Sequence, residues 1–155
     1  MAYELTSTIQ KLGESIQPEQ LRYHRKRVLI TKEFTFDAAH HLHAYEGKCK
    51  ELHGHTYRLQ VTVQARPNEI GLGVDFSVIK RIVKAAVVDR LEHHYLNTTL
   101  PPMNTTAENM IVWMYEQIVM AMQKEQIEAT LERLILHETP TSYVEITREA
   151  MEENE

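Results

Sequence analysis

The 155-residue sequence has one cysteine, so no disulfide within the chain can staple it, and a buried core has to hold it together. A lone thiol suits a reducing compartment and is itself a candidate reactive group. Long apolar runs are missing as well, and none approaches the ~20 residues that span a bilayer. Met1 to Gln20 is polar and mixed, without the apolar centre of a secretory signal, which makes the cytoplasm the expected compartment. Excess positive charge is absent too. Against 22 Asp and Glu stand 17 Lys and Arg, a net charge of -5, whereas a general nucleic-acid binder needs a basic face. There is no internal repeat and no low-complexity tract. What remains is a chain of one-domain size, able to bury roughly 70% of its unfolded surface.

Histidine is what the sequence has in plenty: there are nine, most of them between His40 and His94. The surrounding pattern places them. Residues 1–27 have weak periodicity and end in the basic run Arg22-Tyr23-His24-Arg25-Lys26-Arg27, read here as a solvated extension or short helix rather than a nucleic-acid contact. From Val28 to Phe36, apolar residues alternate, which predicts a strand with one buried side. His53, His55, Tyr57, Leu59, Val61 and Val63 share one side of a second strand. Helical spacing follows over Phe76 to Leu91, and again from Ala107 through Ile111, Met114, Ile118 and Met122. Thr105 with Glu108 reads as a capping box for that second helix, and its Met-rich stripe as core rather than a partner groove. Two strands, Leu131 to Glu138 and Ser142 to Thr147, close the domain at about residue 149, before a short tail at 150–155. The order ββααββ predicts an α+β fold: a four-stranded antiparallel sheet with two helices on one face.

His53-Gly54-His55 opens the second strand, and a spacing of two sends both imidazoles to one side. His40 extends the buried face of the first strand through Phe34, Phe36 and Ala38. Antiparallel pairing would bring it to the other two. Three imidazoles with a fourth position free describe a catalytic zinc site, although copper, nickel or iron would also accept such ligands. His41 and His43 read as loop residues. Cys49, between Lys48 and Lys50, is placed where nearby cations favour the thiolate. Glu92-His93-His94 can relay a proton or simply end a helix. Glu138, at the close of the third strand, can grip a ring bearing adjacent N–H donors or face solvent.

Phe34-Thr35-Phe36-Asp37-Ala38-Ala39-His40, Cys49-x-x-x-His53-Gly54-His55 and Leu91-Glu92-His93-x-x-Leu96-Asn97 together resemble the successive motifs of the 6-pyruvoyl-tetrahydropterin synthase family, as do Val74-Asp75-Phe76 and Glu138-Thr139. The likeness covers about Lys32 to Thr147. Its Cys-to-His spacing is most similar to the bacterial 6-carboxy-5,6,7,8-tetrahydropterin synthase branch of the queuosine pathway. The resemblance implies the tunnelling fold and a homo-oligomer, a hexamer of two stacked trimers with sites between subunits. It also implies conversion of 7,8-dihydroneopterin triphosphate to 6-carboxytetrahydropterin, acetaldehyde and triphosphate.

On the same resemblance, His40, His53 and His55 match zinc ligands, Cys49 the catalytic thiolate, His93 the relay histidine and Glu138 the carboxylate that anchors the pterin. Glu92 stands where the family usually has Asp, which shifts the charge beside His93 by one methylene. Glu51 lies inside the Cys-to-His segment, where some relatives use glutamate as the base of an aldolase-type cleavage to 6-hydroxymethyl-dihydropterin. Three outcomes therefore stay open: the carboxy product, a pyruvoyl or aldolase product, and a module that binds zinc or pterin without catalysis. Lys48, Lys50 and Arg58 are candidates for phosphate contact by charge alone.

Overall fold

The computed structural model describes residues 14–155. Four strands, β1 (Val28–His40), β2 (His53–Ala65), β3 (Thr130–Thr139) and β4 (Ser142–Thr147), pair antiparallel in the order β1-β2-β3-β4. Between β2 and β3 lie the helix α1 at residues 76–91, the short α2 (Leu96–Thr99) and the long α3 (Ala107–Lys124). One further turn, α4 (Arg148–Met151), follows β4, and Met151 packs against the core. The anticipated ββααββ order is present, with α2 and α4 added.

Alternation dictates which side of the sheet is covered. Phe34, Phe36, Leu59, Val61, Leu134 and Leu136 are all buried, and they join the buried residues of α1 and α3 in one cluster. The stripe Ala107, Ile111, Met114, Ile118 and Met122 is buried throughout, so its methionines are core and not a partner groove. On the opposite face the strands are tied by polar pairs: Thr31 to Thr62 at 2.7 Å, and Gln60 donating to Glu33 at 2.6 Å.

Two local features depart from the sequence reading. Inside α1, residues Lys84–Val88 form a π-helical stretch, in which Val87 and Val88 are buried and after which Leu91 is buried too. A wider turn re-phases the helix, and apolar spacing alone does not reveal it. The cap of α3 also sits one residue later than expected. Thr106, not Thr105, is the N-cap, its hydroxyl accepting from the Asn109 N–H at 3.2 Å. Thr105 is fully buried and its polar atoms are engaged elsewhere, by His40.

β1 and β2 pair without interruption from Val28↔Ala65 to His40↔His53. The outer edge of β1 is not bare. The His93 N–H donates to the Asp37 carbonyl at 2.7 Å, and the Ala39 N–H donates to His94 at 3.2 Å. Residues 93–95 thus lie along that edge, with Ala39 and Tyr95 forming a parallel bridge.

Leu59 is completely buried at the centre of the sheet. Leu59→Ala should lower the unfolding free energy by about 2–5 kcal/mol in urea titrations. Thr106→Ala should cost ~1 kcal/mol in the same assay through loss of the helix cap; no loss would restore the cap to Thr105.

Candidate metal centre

The uninterrupted β1–β2 register delivers His40 opposite His53, and Ala38 opposite His55, at the loop end of the hairpin. All three imidazoles lie on the face that carries the core. His40 and His53 approach with Nε2 atoms 3.0 Å apart, and the ring centroids of His40 and His55 are 5.1 Å apart. Glu138 joins them, its Oε1 3.2 Å from His55 Nε2. One ligand atom from each of His40, His53, His55 and Glu138 falls within 4.8 Å of all the others, the arrangement of a group able to hold a metal ion.

The second nitrogen of each ring decides what the first can do. His40 Nδ1 is 2.8 Å from the Thr105 carbonyl, and His53 Nδ1 is 2.7 Å from the Glu51 carbonyl. A carbonyl only accepts, so Nδ1 carries the proton in both rings. The two Nε2 lone pairs then face each other, a repulsive contact unless a cation stands between them. Two nitrogens bound to one tetrahedral zinc at ~2.05 Å would be about 3.3 Å apart, close to the distance observed. His55 Nε2 is buried and makes no directed hydrogen bond, since the Glu138 oxygen is near it but out of line. Burial holds the imidazoles of His40 and His55 below their ordinary titration range, against the pull of Glu138 and, for His40, of the Thr105 carbonyl. Neutral donors aimed inward at one point fit a metal ion.

Several supporting residues were not legible in advance. The Asn97 side chain clasps His41 from both sides, accepting from its N–H at 3.0 Å and donating to its carbonyl at 2.9 Å. Asn104 does the same for His43, at 2.9 and 3.2 Å. Two amides thereby pin the segment leaving β1 and fix where His40 ends. Glu138 reaches the cluster by alternation: it follows Leu134 and Leu136 on the core face, and the pairing of Leu59 with Leu136 and of Arg58 with His137 carries it towards Tyr57 and His55. Towards β4 it is the extra residue of a bulge, since His137 pairs with Tyr143 and Thr139 with Ser142. Tyr57, fully buried beside His40 and His55, has a hydroxyl with no hydrogen-bond partner. Burial, reinforced by the charge of Glu138, raises its pKa well above the usual phenol value.

The remaining candidates are not gathered at the cluster. Cys49 sits half-buried in a 3-10 turn, Lys48–Lys50, whose Cys49 carbonyl accepts from the Leu42 N–H at 3.0 Å. That bond ties the thiol's turn to the chain just beyond His40. Glu51 is exposed and contributes its backbone carbonyl. His93 is exposed at the edge of β1, with a left-handed φ of 57°, and lines an open depression with Asp37, Gly54, His55 and Thr56. Among the described residues, no hydrogen bond or ion pair joins the Glu92 carboxylate to His93; it is the Glu92 carbonyl that contacts His94 Nδ1, at 2.6 Å. Arg58 faces the other side of the sheet, 3.1 Å from His137 Nε2. His41 is more than a surface residue, since its ring stacks on Tyr95 and bonds the Tyr95 hydroxyl.

Known proteins share this framework. A family model described as 6-pyruvoyl tetrahydropterin synthase matches residues 29–149. The chain is 39% identical over 95 residues to the 6-carboxy-5,6,7,8-tetrahydropterin synthase of Synechocystis sp., covering 58% of this chain and 74% of that protein. It is 32% identical over 140 residues to the protein of the same name from Haemophilus influenzae, covering 75% of this chain and 96% of that one. The solved structure of Caenorhabditis elegans 6-pyruvoyl tetrahydropterin synthase superposes with a TM-score of 0.70 at 22% identity, over 81% of this chain and 99% of that one, a likeness of fold. With its histidine hairpin, its four-stranded antiparallel sheet and a match running from the first strand past the last, the chain belongs to the 6-pyruvoyl tetrahydropterin synthase family.

Proposed function

We propose that this chain is a zinc-dependent lyase converting 7,8-dihydroneopterin triphosphate and water to 6-carboxy-5,6,7,8-tetrahydropterin, acetaldehyde and triphosphate, a step towards queuosine. The observation that carries the reading is the facing pair of Nε2 atoms, 3.0 Å apart, in rings whose other nitrogens are already committed to carbonyls. The names carried by the Synechocystis and Haemophilus proteins support the product.

His40, His53 and His55 would hold the metal, which supplies polarisation of the substrate's side-chain oxygens when bound. Glu138, beside His55, is in place to accept from the N–H groups of a pterin ring. Cys49, flanked by Lys48 and Lys50, would act as thiolate and remove a side-chain proton. His93 is the partner that exchanges a proton on the other side. Within one chain it is exposed at the outer edge of β1, on an open depression that it shares with His55, and in this reading it serves the site of a second copy. A homo-oligomer, a hexamer on the family resemblance, would supply that copy. No helix among the described residues is long and apolar enough to cross a membrane, in keeping with a small-molecule substrate met in solution.

Aldolase-type cleavage with Glu51 as base keeps the same metal site, but the exposed position of Glu51 and the commitment of its carbonyl to His53 do not favour it. The purified protein should carry about one zinc per chain and release acetaldehyde from dihydroneopterin triphosphate. His53→Ala should lose both zinc and acetaldehyde, as measured by metal analysis and product mass. Fully metallated protein that returns the substrate unchanged would leave only a binding module. Cys49→Ala should keep its zinc and lose ~100-fold or more in turnover. Full turnover in that variant would move the base to Glu51.

A further inference from the structure

The far end of the β1–β2 hairpin carries a second constellation. There Val28 pairs with Ala65, and basic residues flank that pair on both chain segments. Arg25, Arg27, Arg66 and Arg148 line a depression of about 520 Å³, together with Glu128 and Glu132. A 13-residue strand rising ~3.3 Å per residue puts it roughly 40 Å from the histidines, too far for its occupant to touch the reacting atoms.

This basic segment is held in place. Arg25 Nη1 donates to the Pro67 carbonyl at 2.6 Å, and the Arg66 guanidinium donates back to the Arg25 carbonyl. Two clasps thus fasten the segment before β1 to the loop after β2. Each uses only one of the five N–H donors of its guanidinium. Among the described residues, none of Arg22, Arg25, Lys26, Arg27 and Arg66 is in an ion pair. Arg148 by contrast is neutralised by Glu132 at 3.0 Å and Glu152 at 3.2 Å. On a chain of net charge -5 this is a concentrated positive patch. Arg25 and Arg27 also precede the region matched by the family model, which begins at residue 29.

We propose that this depression is a second ligand site, for a small molecule bearing a chain of phosphates: inorganic triphosphate or a nucleoside triphosphate. Its size is that of a small-molecule pocket. Guanidinium forks match phosphate oxygens, and the unpaired Arg25, Arg27 and Arg66 come from two separate segments, a spread suited to more than one phosphate. Glu128 and Glu132 interrupt the basic lining, which disfavours a continuous nucleic-acid strand.

The test is calorimetric titration of the full-length, zinc-loaded protein with orthophosphate, tripolyphosphate, GTP and a 12-nucleotide RNA. Tripolyphosphate and GTP should bind with similar affinity, both above orthophosphate, and weaken as salt rises. Arg27→Gln should reduce tripolyphosphate affinity about tenfold. Glu128→Gln, which removes a lining carboxylate, should increase it, a gain that misfolding cannot imitate. Binding that neither substitution alters lies elsewhere, at the metal centre for example, and overturns the proposal. So does an absence of binding, an orthophosphate affinity equal to that of tripolyphosphate, or RNA binding that exceeds both polyphosphates.

Discussion

Two imidazole nitrogens with their lone pairs turned towards each other are the constraint around which this end of the molecule is organised. The contact is unfavourable on its own, and the fold maintains it by committing the opposite nitrogen of each ring to a backbone carbonyl. Neither ring can relieve the repulsion by changing tautomer without giving up its bond to a backbone carbonyl, which for His40 is the buried carbonyl of Thr105. Such an arrangement is able to receive a cation, because a bond at the far nitrogen of a histidine fixes the direction of the near one. The pairing of His40 with the carbonyl of Thr105 also explains why α3 is capped one residue late. Thr105 is part of the histidine's surroundings, and Thr106 is left to start the helix.

Precision at the site comes from a contrast between regular and irregular pairing. β1 and β2 run in register for their full length, so three histidines from two strands arrive at predictable positions. β3 slips against β2 at Thr62/Val63, and β4 slips against β3 at His137/Thr139. The second slip leaves Glu138 without a partner on β4, while alternation through Leu134 and Leu136 turns its carboxylate towards His55. Asn97 and Asn104 act on the opposite flank, standing in for strand partners where β1 has ended. The regular pairing places the nitrogens and the carboxylate, and the two amides clamp the exit.

This division is also what separates the legible from the illegible. His40, His53 and His55 were readable because period two and antiparallel pairing are both local rules, and the turn-rich stretch between the strands leaves few other pairings. The core stripe of α3 was readable for the same reason. The π-helical stretch was not, since apolar spacing near Val83 to Val88 fits either winding. Glu138 is recognisable as a carboxylate at the end of the third strand, but its place beside His55 depends on the β2–β3 register, whose slip at Thr62/Val63 the sequence does not mark. Glu92 beside His93 invites a pairing that is not made among the described residues, where His93 takes a left-handed φ of 57°.

The same end of the sheet retains polar atoms that a purely structural core would not keep. His55 Nε2 and the Tyr57 hydroxyl are both buried without a hydrogen-bond partner. Each such group costs about 1–3 kcal/mol when left unpaired. Two of them adjoin the facing Nε2 pair, with the carboxylate of Glu138 3.2 Å from His55 Nε2. Such clustering of unsatisfied groups beside one regular hairpin is the physical mark of a site completed by what it binds. A cation would engage His55 Nε2 and relieve the facing pair together. The stability of the hairpin end and the occupancy of the site are therefore linked, since whatever binds only the folded arrangement deepens it.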